Sequence, residues 1–351
     1  MMKITTLHTF NTEYSADAIE WCPCEGYLNN FACGTYQLEE STENLDIPMK
    51  RKGRIYIFNF KTSLNELIEL CRLETAAILD MKWLPQFKHK PSLAVANAVG
   101  QIQIFELEYK KLIPRSMLHI NPEYNNLLAL SLDCNLQQTI ASDENEQHIL
   151  VSDSKGYISL LKYTLENGLE KLNIWSGHNF EAWTCALNKW DSNLALSGGD
   201  DTFLHIHDLR LFERVLTNKS HIAGVTSLLS HPSYHNLLLS GSYDERLRSF
   251  DIRYMKKPVS EINLGGGIWR IKSDPSARNL ILVACMYKNF SLVHFENGNL
   301  NDLKLVGEYN EHESICYGAD WCLDVEKSEK LFIATCSFYD HKLCVASVEA
   351  E

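Results

Sequence analysis

Three residue types that can carry out nucleophilic catalysis occur within one stretch of the chain, as His178, Ser197 and Asp201. A serine hydroxyl attacks an acyl carbon when a histidine takes its proton and an aspartate orients that histidine. The next stretch repeats the same three types at His221, Ser240 and Asp244. A catalytic triad is not expected twice in succession, so we interpret each set as residues that hydrogen-bond to one another inside a structural repeat.

Other signatures of chemistry are weak. The eleven cysteines include one close couple, Cys22 and Cys24, and no further soft ligands for a metal ion stand near it in sequence. His205 and His207 share one face of an expected strand, and we interpret both as structural because His207 takes the place of a core aromatic residue. The sequence has no glycine-rich phosphate loop, nucleophile elbow or zinc-protease motif. We therefore expect neither a metal nor a cofactor.

A repeat accounts for the order of these residues. In 175–210 and in the segment after it, a histidine precedes an apolar strand, a strand of small residues follows, and an aspartate stands in the next turn. This order is typical of a four-stranded blade of a WD40 β-propeller. Five further segments show the same succession of three short strands, with first strands near Ile19, Met81, Leu128, Gly266 and Gly318, and the third of the seven segments is weaker than the others. In the third blade we expect the second strand at 139–143 and a loop insertion at 143–148.

The two ends of the chain complement each other. The chain stops directly after the third strand of the seventh segment, and residues 3–10 alternate as a strand with no partner nearby in sequence. Pairing the two closes the ring and removes both exposed sheet edges. We predict an all-β fold, one seven-bladed WD40 β-propeller domain spanning 1–351, closed by pairing the N-terminal strand with the C-terminal blade. The polar stretch 37–52 is expected to be a solvated loop of the first blade.

Composition limits the partners. A formal net charge of −12 and an isoelectric point near 5.6 disfavour nucleic acid, since phosphate binding needs a basic surface. The longest apolar run, 280–286, is too short to cross a bilayer, and the first residues lack the apolar core of a signal peptide. An odd number of cysteines without an export signal indicates buried thiols in a reducing compartment. We expect a cytoplasmic monomer that does not insert into membranes.

Six residues of blades four to six exceed what the repeat requires: Glu181, Trp183, Asp200, Tyr243, Trp269 and Arg270. Four of them stand at the entrance to an innermost strand, which lines the central channel of a propeller. Large aromatic residues are unusual there because that strand usually carries small or branched side chains. Two interpretations remain open, a plugged channel or packed blade interface on one hand, and a binding site at one mouth of the channel on the other.

The second half of the chain resembles the WD40 diphthine methylesterases of diphthamide biosynthesis. The resemblance rests on GHNFEAW at 177–183 and SGGDD at 197–201. Shorter similar runs lie at 241–245, 266–272, 284–286 and 317–321. The Phe-Glu-Ala-Trp block at 180–183 is the specific part, whereas the first half of the chain matches only as WD40-like repeats.

The resemblance implies an enzyme. Members of that family hydrolyse the methyl ester of diphthine, a modified histidine of translation elongation factor 2, and release methanol, so that the free carboxylate can be amidated to diphthamide. The modified side chain also carries a trimethylammonium group, which cannot donate a hydrogen bond and is held by aromatic faces. The resemblance therefore implies that Trp183, Tyr243 and Trp269 bind the substrate.

The same resemblance implies roles for the charged residues. Ester cleavage needs an activated water or nucleophile and a donor for the oxyanion. Glu181 or Asp200 would serve as the base, and Arg270 would stabilise the developing negative charge. The alternative is a non-catalytic WD40 scaffold for protein–protein interaction, which is the default function of a propeller.

Overall fold

The structure, a computed structural model, describes residues 1–39, 50–84, 90–134, 146–276, 278–295, 302–324 and 330–350. In this part of the chain every regular element is a β-strand, and the strands form seven antiparallel sheets of four strands each. The prediction of an all-β, seven-bladed propeller is confirmed. No helix among the described residues has the length and apolar character needed to span a membrane.

The strands of the first three blades follow one another in sequence, after an N-terminal strand β1 (Met2–Asn11) that belongs to the last blade. Blade one contains β2 (Ser15–Trp21), β3 (Asn30–Glu39), β4 (Lys50–Lys61) and β5 (Glu66–Ala76). Blade two contains β6 (Ile78–Trp83), β7 (Ser92–Asn97), β8 (Gln101–Glu108) and β9 (Lys111–His119). Blade three contains β10 (Ala129–Cys134), β11 (Glu146–Asp153), β12 (Tyr157–Thr164) and β13 (Gly168–Ser176).

The remaining four blades complete the ring. Blade four contains β14 (Thr184–Leu187), β15 (Leu194–Gly198), β16 (Leu204–Asp208) and β17 (Glu213–Asn218). Blade five contains β18 (Val225–Ser230), β19 (Leu237–Ser242), β20 (Arg246–Asp251) and β21 (Ser260–Asn263). Blade six contains β22 (Ile268–Ser273), β23 (Leu280–Cys285), β24 (Asn289–Phe295) and β25 (Leu303–Tyr309). Blade seven contains β26 (Cys316–Trp321), β27 (Leu331–Ser337), β28 (Lys342–Ala350) and β1.

The ring is closed by the two ends of the chain. β1 pairs antiparallel with β28, with Met2 opposite Ala350 and Asn11 opposite Lys342. Met2 and Ile4 pack on the apolar cluster between blades six and seven. Pairing of the N-terminal strand with the C-terminal blade, as predicted, covers the edge of β28 and gives blade seven its outer strand.

A chain of hydrogen bonds ties together the strands of blade four. His178 Nδ1 donates to Asp201 Oδ1 at 2.9 Å, and His178 Nε2 is hydrogen-bonded to Ser197 Oγ at 2.8 Å. Ser197 Oγ is also hydrogen-bonded to His207 Nε2 at 2.7 Å. Because Ser197 is fully buried and has both neighbours in place, the set is structural, and so is His207.

Blade five departs from the predicted pattern. His221 is hydrogen-bonded to Ser240 at 2.8 Å, but Asp244 pairs with Arg248 at 2.9 Å instead of with the histidine. Burial and the Arg248 charge lower the pKa of His221 to about 4, so the imidazole is neutral. A guanidinium is always charged and is therefore the stronger partner for the carboxylate.

Two loop predictions also change. In blade three the stretch expected as the second strand, 139–143, lies outside the described residues. The strand is β11, which includes residues 146–148 of the expected insertion, because the apolar run from Ile149 to Val151 sets its register against Leu161 and Ser159. In blade one the expected loop 37–52 is shorter at both ends, since β3 and β4 stay paired from Gln37 with Lys52 to Glu39 with Lys50. Residues 40–49 lie outside the described part.

The cysteines are structural. All eleven lie among the described residues, none forms a disulfide, and all except Cys71 are buried. Burial raises the pKa of Cys285 to about 11 and the pKa of Cys322 to about 12, which keeps both as neutral thiols. The prediction of buried thiols is therefore confirmed.

A bulge at the start of the innermost strands shapes one mouth of the channel. The first strand of each blade forms the inner edge of its sheet, and these strands contact one another in a closed circle. In six blades the pairing between the first and second strands has a bulge, which leaves at least one residue near the start of the first strand without a partner. In blade four, Trp183 directly precedes β14 and occupies the corresponding position. A bulge re-aims a side chain. We call the resulting positions the mouth ring: Asp17, Leu79, Leu130, Trp183, Thr226, Trp269 and Tyr317.

Candidate active site

Aromatic side chains of four consecutive blades meet at this mouth. The ring centroids of Trp183 and Trp269 are 5.9 Å apart, and Tyr243 lies 6.0 Å from Trp183 and 6.2 Å from Trp269. On its other side Trp269 stacks on Tyr317 at 4.9 Å. All four side chains are partly exposed. The structure thus brings together the three residues predicted to bind the substrate, and we call these four residues the aromatic cluster.

Tyr243 can approach the blade-four side of the aromatic cluster because the neighbouring residue in space, Gly224, has no side chain. Tyr243 lies in the turn between β19 and β20, next to Gly224 of the loop that enters blade five. A β-carbon on Gly224 would approach Asp200 Oδ1 to 2.8 Å and the Tyr243 ring to 3.1 Å. Both contacts are tight, so glycine at this position lets blades four and five meet.

Two carboxylates stand beside the cluster on its blade-four side. Asp200 is exposed, and its Oδ1 accepts a hydrogen bond from Trp183 Nε1 at 3.0 Å. The backbone N–H of Asp200 donates to the carbonyl of Glu181 at 2.9 Å. Burial raises the pKa of Tyr243, and the charges of Asp200 and Glu181 raise it further. These acids therefore place negative potential on the aromatic cluster, as a site for a cation requires.

Arg270 lies on the channel side of Trp269. Its guanidinium forms an ion pair with Asp80 at 3.2 Å, and Asp80 is held by Ser131 Oγ at 2.9 Å and by the Leu132 N–H at 3.1 Å. Although burial opposes its charge, the acids of the channel, led by Asp80, raise the pKa of Arg270. No hydrogen bond or ion pair of the described residues joins Arg270 to Glu181 or Asp200. Arg270 thus belongs to blade six and pairs across the channel with Asp80, whereas Glu181 and Asp200 belong to the loops of blade four.

Below the mouth the channel is charged. A cavity of about 210 Å³ is lined by Arg270 and Asp80 together with Lys82, Lys272 and Glu20. Both lysines form ion pairs with Glu20, at 2.5 Å for Lys272. These ion pairs join β2 to the neighbouring β6 and, across the channel, join β22 to both β2 and β6.

The sequence pattern did not indicate Tyr317 or Asp17, two further residues of the mouth ring, as part of the site. Asp17 is 3% exposed, and its Oδ1 has no hydrogen-bond partner among the described residues. Burial raises the pKa of Asp17 to about 8, with Arg270 lowering it and Asp80 raising it. An alignment of the starts of the innermost strands would have identified Asp17, because the corresponding position carries no charge in the other six blades.

Among the described residues, one group has ligand atoms close enough to hold a metal ion: His178, Asp201 and His205. Both nitrogens of His178 are already hydrogen-bonded, and its ring stacks on that of His205 at 4.6 Å. Stacked imidazoles present their faces to each other and not their nitrogens. We interpret the group as part of the packing of blade four.

The comparisons with known proteins agree with this fold. No family model matches the chain. A chain of the crystal structure of the mitotic checkpoint complex superposes with a TM-score of 0.73 at 15% identity, covering 100% of this chain and 94% of that one. This similarity shows the fold alone. The class is therefore a WD40-like β-propeller, here with an aromatic and acidic mouth.

Sequence relatives define the family more narrowly. The human diphthine methyltransferase is 36% identical over 92% of this chain and 75% of its own length, and the mouse protein is 35% identical over 91% and 69%. A diphthine methyltransferase homolog of Dictyostelium discoideum is 33% identical over 95% of this chain and 96% of its own. The chain belongs to the diphthine methyltransferase family.

Proposed function

We propose that this protein hydrolyses the methyl ester of diphthine on translation elongation factor 2, releasing methanol and leaving the carboxylate that is then amidated to diphthamide. The observation that carries the proposal is the aromatic cluster with two carboxylates at one mouth of the channel. A quaternary ammonium group has no hydrogen to donate, so aromatic faces and nearby negative charge are what can bind it. The names of the relatives point to the same modified residue.

The cation fits the blade-four side of the cluster. Trp183, Tyr243 and Trp269 offer three faces, and Asp200 holds Trp183 in place through the indole N–H. Each face contributes roughly 0.5–2 kcal/mol to binding of a cation, the larger value applying where water is excluded. Glu181 and Asp200 add the opposite charge. The sequence-based assignment of one of them as the base remains part of the proposal.

The methyl ester fits the side of the aromatic cluster that lies toward Arg270. In diphthine the ester stands beside the trimethylammonium group, so a cation bound against Trp269 brings the ester to the neighbouring residues of the mouth. Arg270 follows Trp269 in β22 and brings a positive charge beside that place. A fixed cation aimed at the carbonyl oxygen stabilises the oxyanion that forms when water adds.

The face around the mouth suits a protein substrate. Four large apolar side chains on its loops and turns are strongly exposed, with Phe180 at 61%, Ile222 at 83%, Tyr287 at 80% and Tyr339 at 71%. Exposed apolar residues grouped around a site mark a protein contact. We further propose that the protein acts as a cytoplasmic monomer without nucleic acid or a membrane, since one chain supplies the whole site and its net charge is −12.

The test uses elongation factor 2 that carries the diphthine methyl ester. We expect the pure protein to remove the mass of one methyl group from the modified peptide and to release methanol. Tyr254→Ala is the control, because this aromatic residue is 70% exposed in the turn between β20 and β21, away from the mouth. An ester that stays intact in the presence of the protein contradicts hydrolysis and favours the scaffold. Transfer of a methyl group onto diphthine would show the activity that the relatives' name describes.

A further inference from the structure

Two polar atoms at the mouth are buried without a hydrogen-bond partner among the described residues. They are the acceptor Asp17 Oδ1 and the donor Trp269 Nε1. Leaving a buried donor or acceptor unpaired is unfavourable, and native structures keep few such groups. Both belong to the mouth ring, so a ligand bound there can supply the missing partners.

The two atoms lie on the same side of the mouth. Asp17 and Trp269 are the skipped residues of blades one and six, and Tyr317 of blade seven lies between them. Tyr317 stacks on Trp269 at 4.9 Å, and the Asp17 carboxyl adds to the effect of burial in raising the pKa of Tyr317. Asp17 also acts on the charge of Arg270. An acceptor, a donor and a cation therefore meet where the ester is expected.

We propose that Asp17 is the general base of the hydrolysis and that the Trp269 indole N–H binds the carbonyl oxygen of the ester. This proposal rests on the proposed function and changes the assignment of the base. Asp200 already accepts the Trp183 N–H, and with Glu181 it stands on the cation side. Asp80 uses its oxygens for Arg270, Ser131 and backbone N–H groups. Asp17 is the acid of this side with an oxygen left over.

In this mechanism Asp17 alone carries the proton from water to the leaving group. The Asp17 carboxylate takes a proton from water, and the hydroxide adds to the ester carbon, so that the carbonyl oxygen becomes an oxyanion facing Trp269 Nε1 and Arg270. The bond from carbon to the methoxy oxygen breaks, and protonated Asp17 gives its proton to the leaving methoxide. The products are methanol and a carboxylic acid, which releases a proton to solvent. Asp17 ends as it began.

The groups around Asp17 determine how the rate of hydrolysis depends on pH. The charged or titratable groups that act on it are Arg270 of blade six and Asp80 of blade two, and it acts in turn on Tyr317 and Cys336 of blade seven. With a pKa raised by burial to about 8, Asp17 is mostly protonated near neutrality. The base is the ionised form, so kcat/KM rises with pH, is half-maximal near pH 8 and levels off above it.

The test compares Asp17→Asn and Trp269→Phe with the wild-type protein on elongation factor 2 bearing the diphthine methyl ester. Asp17→Asn is expected to lower kcat by about 100- to 10,000-fold, to leave KM nearly unchanged and to abolish the rise toward pH 8. Trp269→Phe keeps an aromatic face and removes the N–H, and it is expected to lower kcat by about 100-fold. Asp153→Asn is the matched control, because Asp153 is a buried acid of blade three whose Oδ2 likewise has no hydrogen-bond partner in the described part of the chain.

The outcomes separate this proposal from the proposed function. An Asp17→Asn protein that unfolds at the wild-type temperature and keeps the wild-type kcat and pH profile overturns the assignment. So does loss of turnover in Glu181→Gln or Asp200→Asn while Asp17→Asn stays active, although hydrolysis itself then stands. If the wild-type protein leaves the ester intact, both proposals fall.

Discussion

The indole N–H of Trp183 donates to Asp200 across 3.0 Å, which joins one wall of the aromatic cluster to an acid that the blade does not need. The next residue, Asp201, already fills the structural place as the partner of His178. Blade four therefore carries two consecutive acids with separate tasks. One holds the blade together, and the other faces the mouth.

This division predicts different effects of two substitutions. Asp244→Ala removes one of the two carboxylates paired with Arg248, whose side chain is 3% exposed, and should lower the free energy of unfolding by about 1–3 kcal/mol, since Glu261 still pairs with the guanidinium. Asp200→Ala removes an exposed carboxylate and should leave the free energy of unfolding nearly unchanged while raising KM. Urea denaturation and steady-state kinetics on both variants check this. Equal loss of stability in the two would make Asp200 a structural residue.

The aromatic cluster predicts selective loss of cation binding. Trp183→Ala and Trp269→Ala each remove one face and should weaken binding of the diphthine peptide by roughly 0.5–2 kcal/mol. A peptide in which a neutral tert-butyl group replaces the trimethylammonium group should lose little on the same substitutions. Calorimetry with the two peptides gives the comparison. Equal losses for both peptides would mean that the tryptophans contribute apolar contact only.

The N-terminal strand predicts a fold that depends on both ends. Deleting residues 1–10 removes nearly all of β1 and exposes the edge of β28. We expect a lower unfolding temperature and concentration-dependent aggregation, because an unpaired edge strand recruits other chains. Thermal unfolding and light scattering measure these effects. A truncated protein that stays monomeric and unfolds at the wild-type temperature would show that the β1–β28 pairing does not stabilise the ring.

Buried titratable groups predict how stability changes with pH. Burial lowers the pKa of five histidines from 6.5, to about 3 for His205 and His207 and to about 4 for His221, His231 and His312. The unfolded chain then binds more protons below pH 6.5, so stability falls as the pH drops through that value. Denaturant titrations below and above pH 6.5 test this. Unchanged stability on acidification would contradict the neutral, buried state of these rings.

The titration of Asp17 changes stability with pH in the direction opposite to that of the histidines. Its pKa rises from 3.8 to about 8 on folding, so the folded state binds more protons in that window and stability is lost as the pH rises through it. The loss is at most about 1.4 kcal/mol for each pH unit. Asp17→Asn should therefore be more stable than wild type near pH 8. A variant with the same pH dependence as wild type would show that Asp17 is not held in its protonated form.

Sequence patterns were sufficient for the architecture because each blade repeats its own short-range signals. The spare strand at the start of the chain also led to the correct closure. The partner of Asp244 could not be predicted, since the choice between His221 and Arg248 depends on which side chain reaches the carboxylate in the folded blade. In blade three, the strand register depends on a pairing that small-residue composition did not indicate.

The site was predictable to a similar extent. Trp183, Tyr243 and Trp269 stood out because the repeat does not require them, and they do meet. Asp17 did not stand out, because its importance lies in a missing partner and in neighbours from blades two, six and seven. Contacts between residues so distant in sequence are set by closure of the ring.

Hydrolysis in ¹⁸O-labelled water tests the central claim most directly. The methyl ester of diphthine on elongation factor 2 is incubated with the protein in this water, and the peptide and the methanol are analysed by mass spectrometry. Attack of water on the ester carbon predicts one labelled oxygen in the carboxylate and none in the methanol. Label in the methanol, or a peptide that keeps its methyl group, would contradict the account.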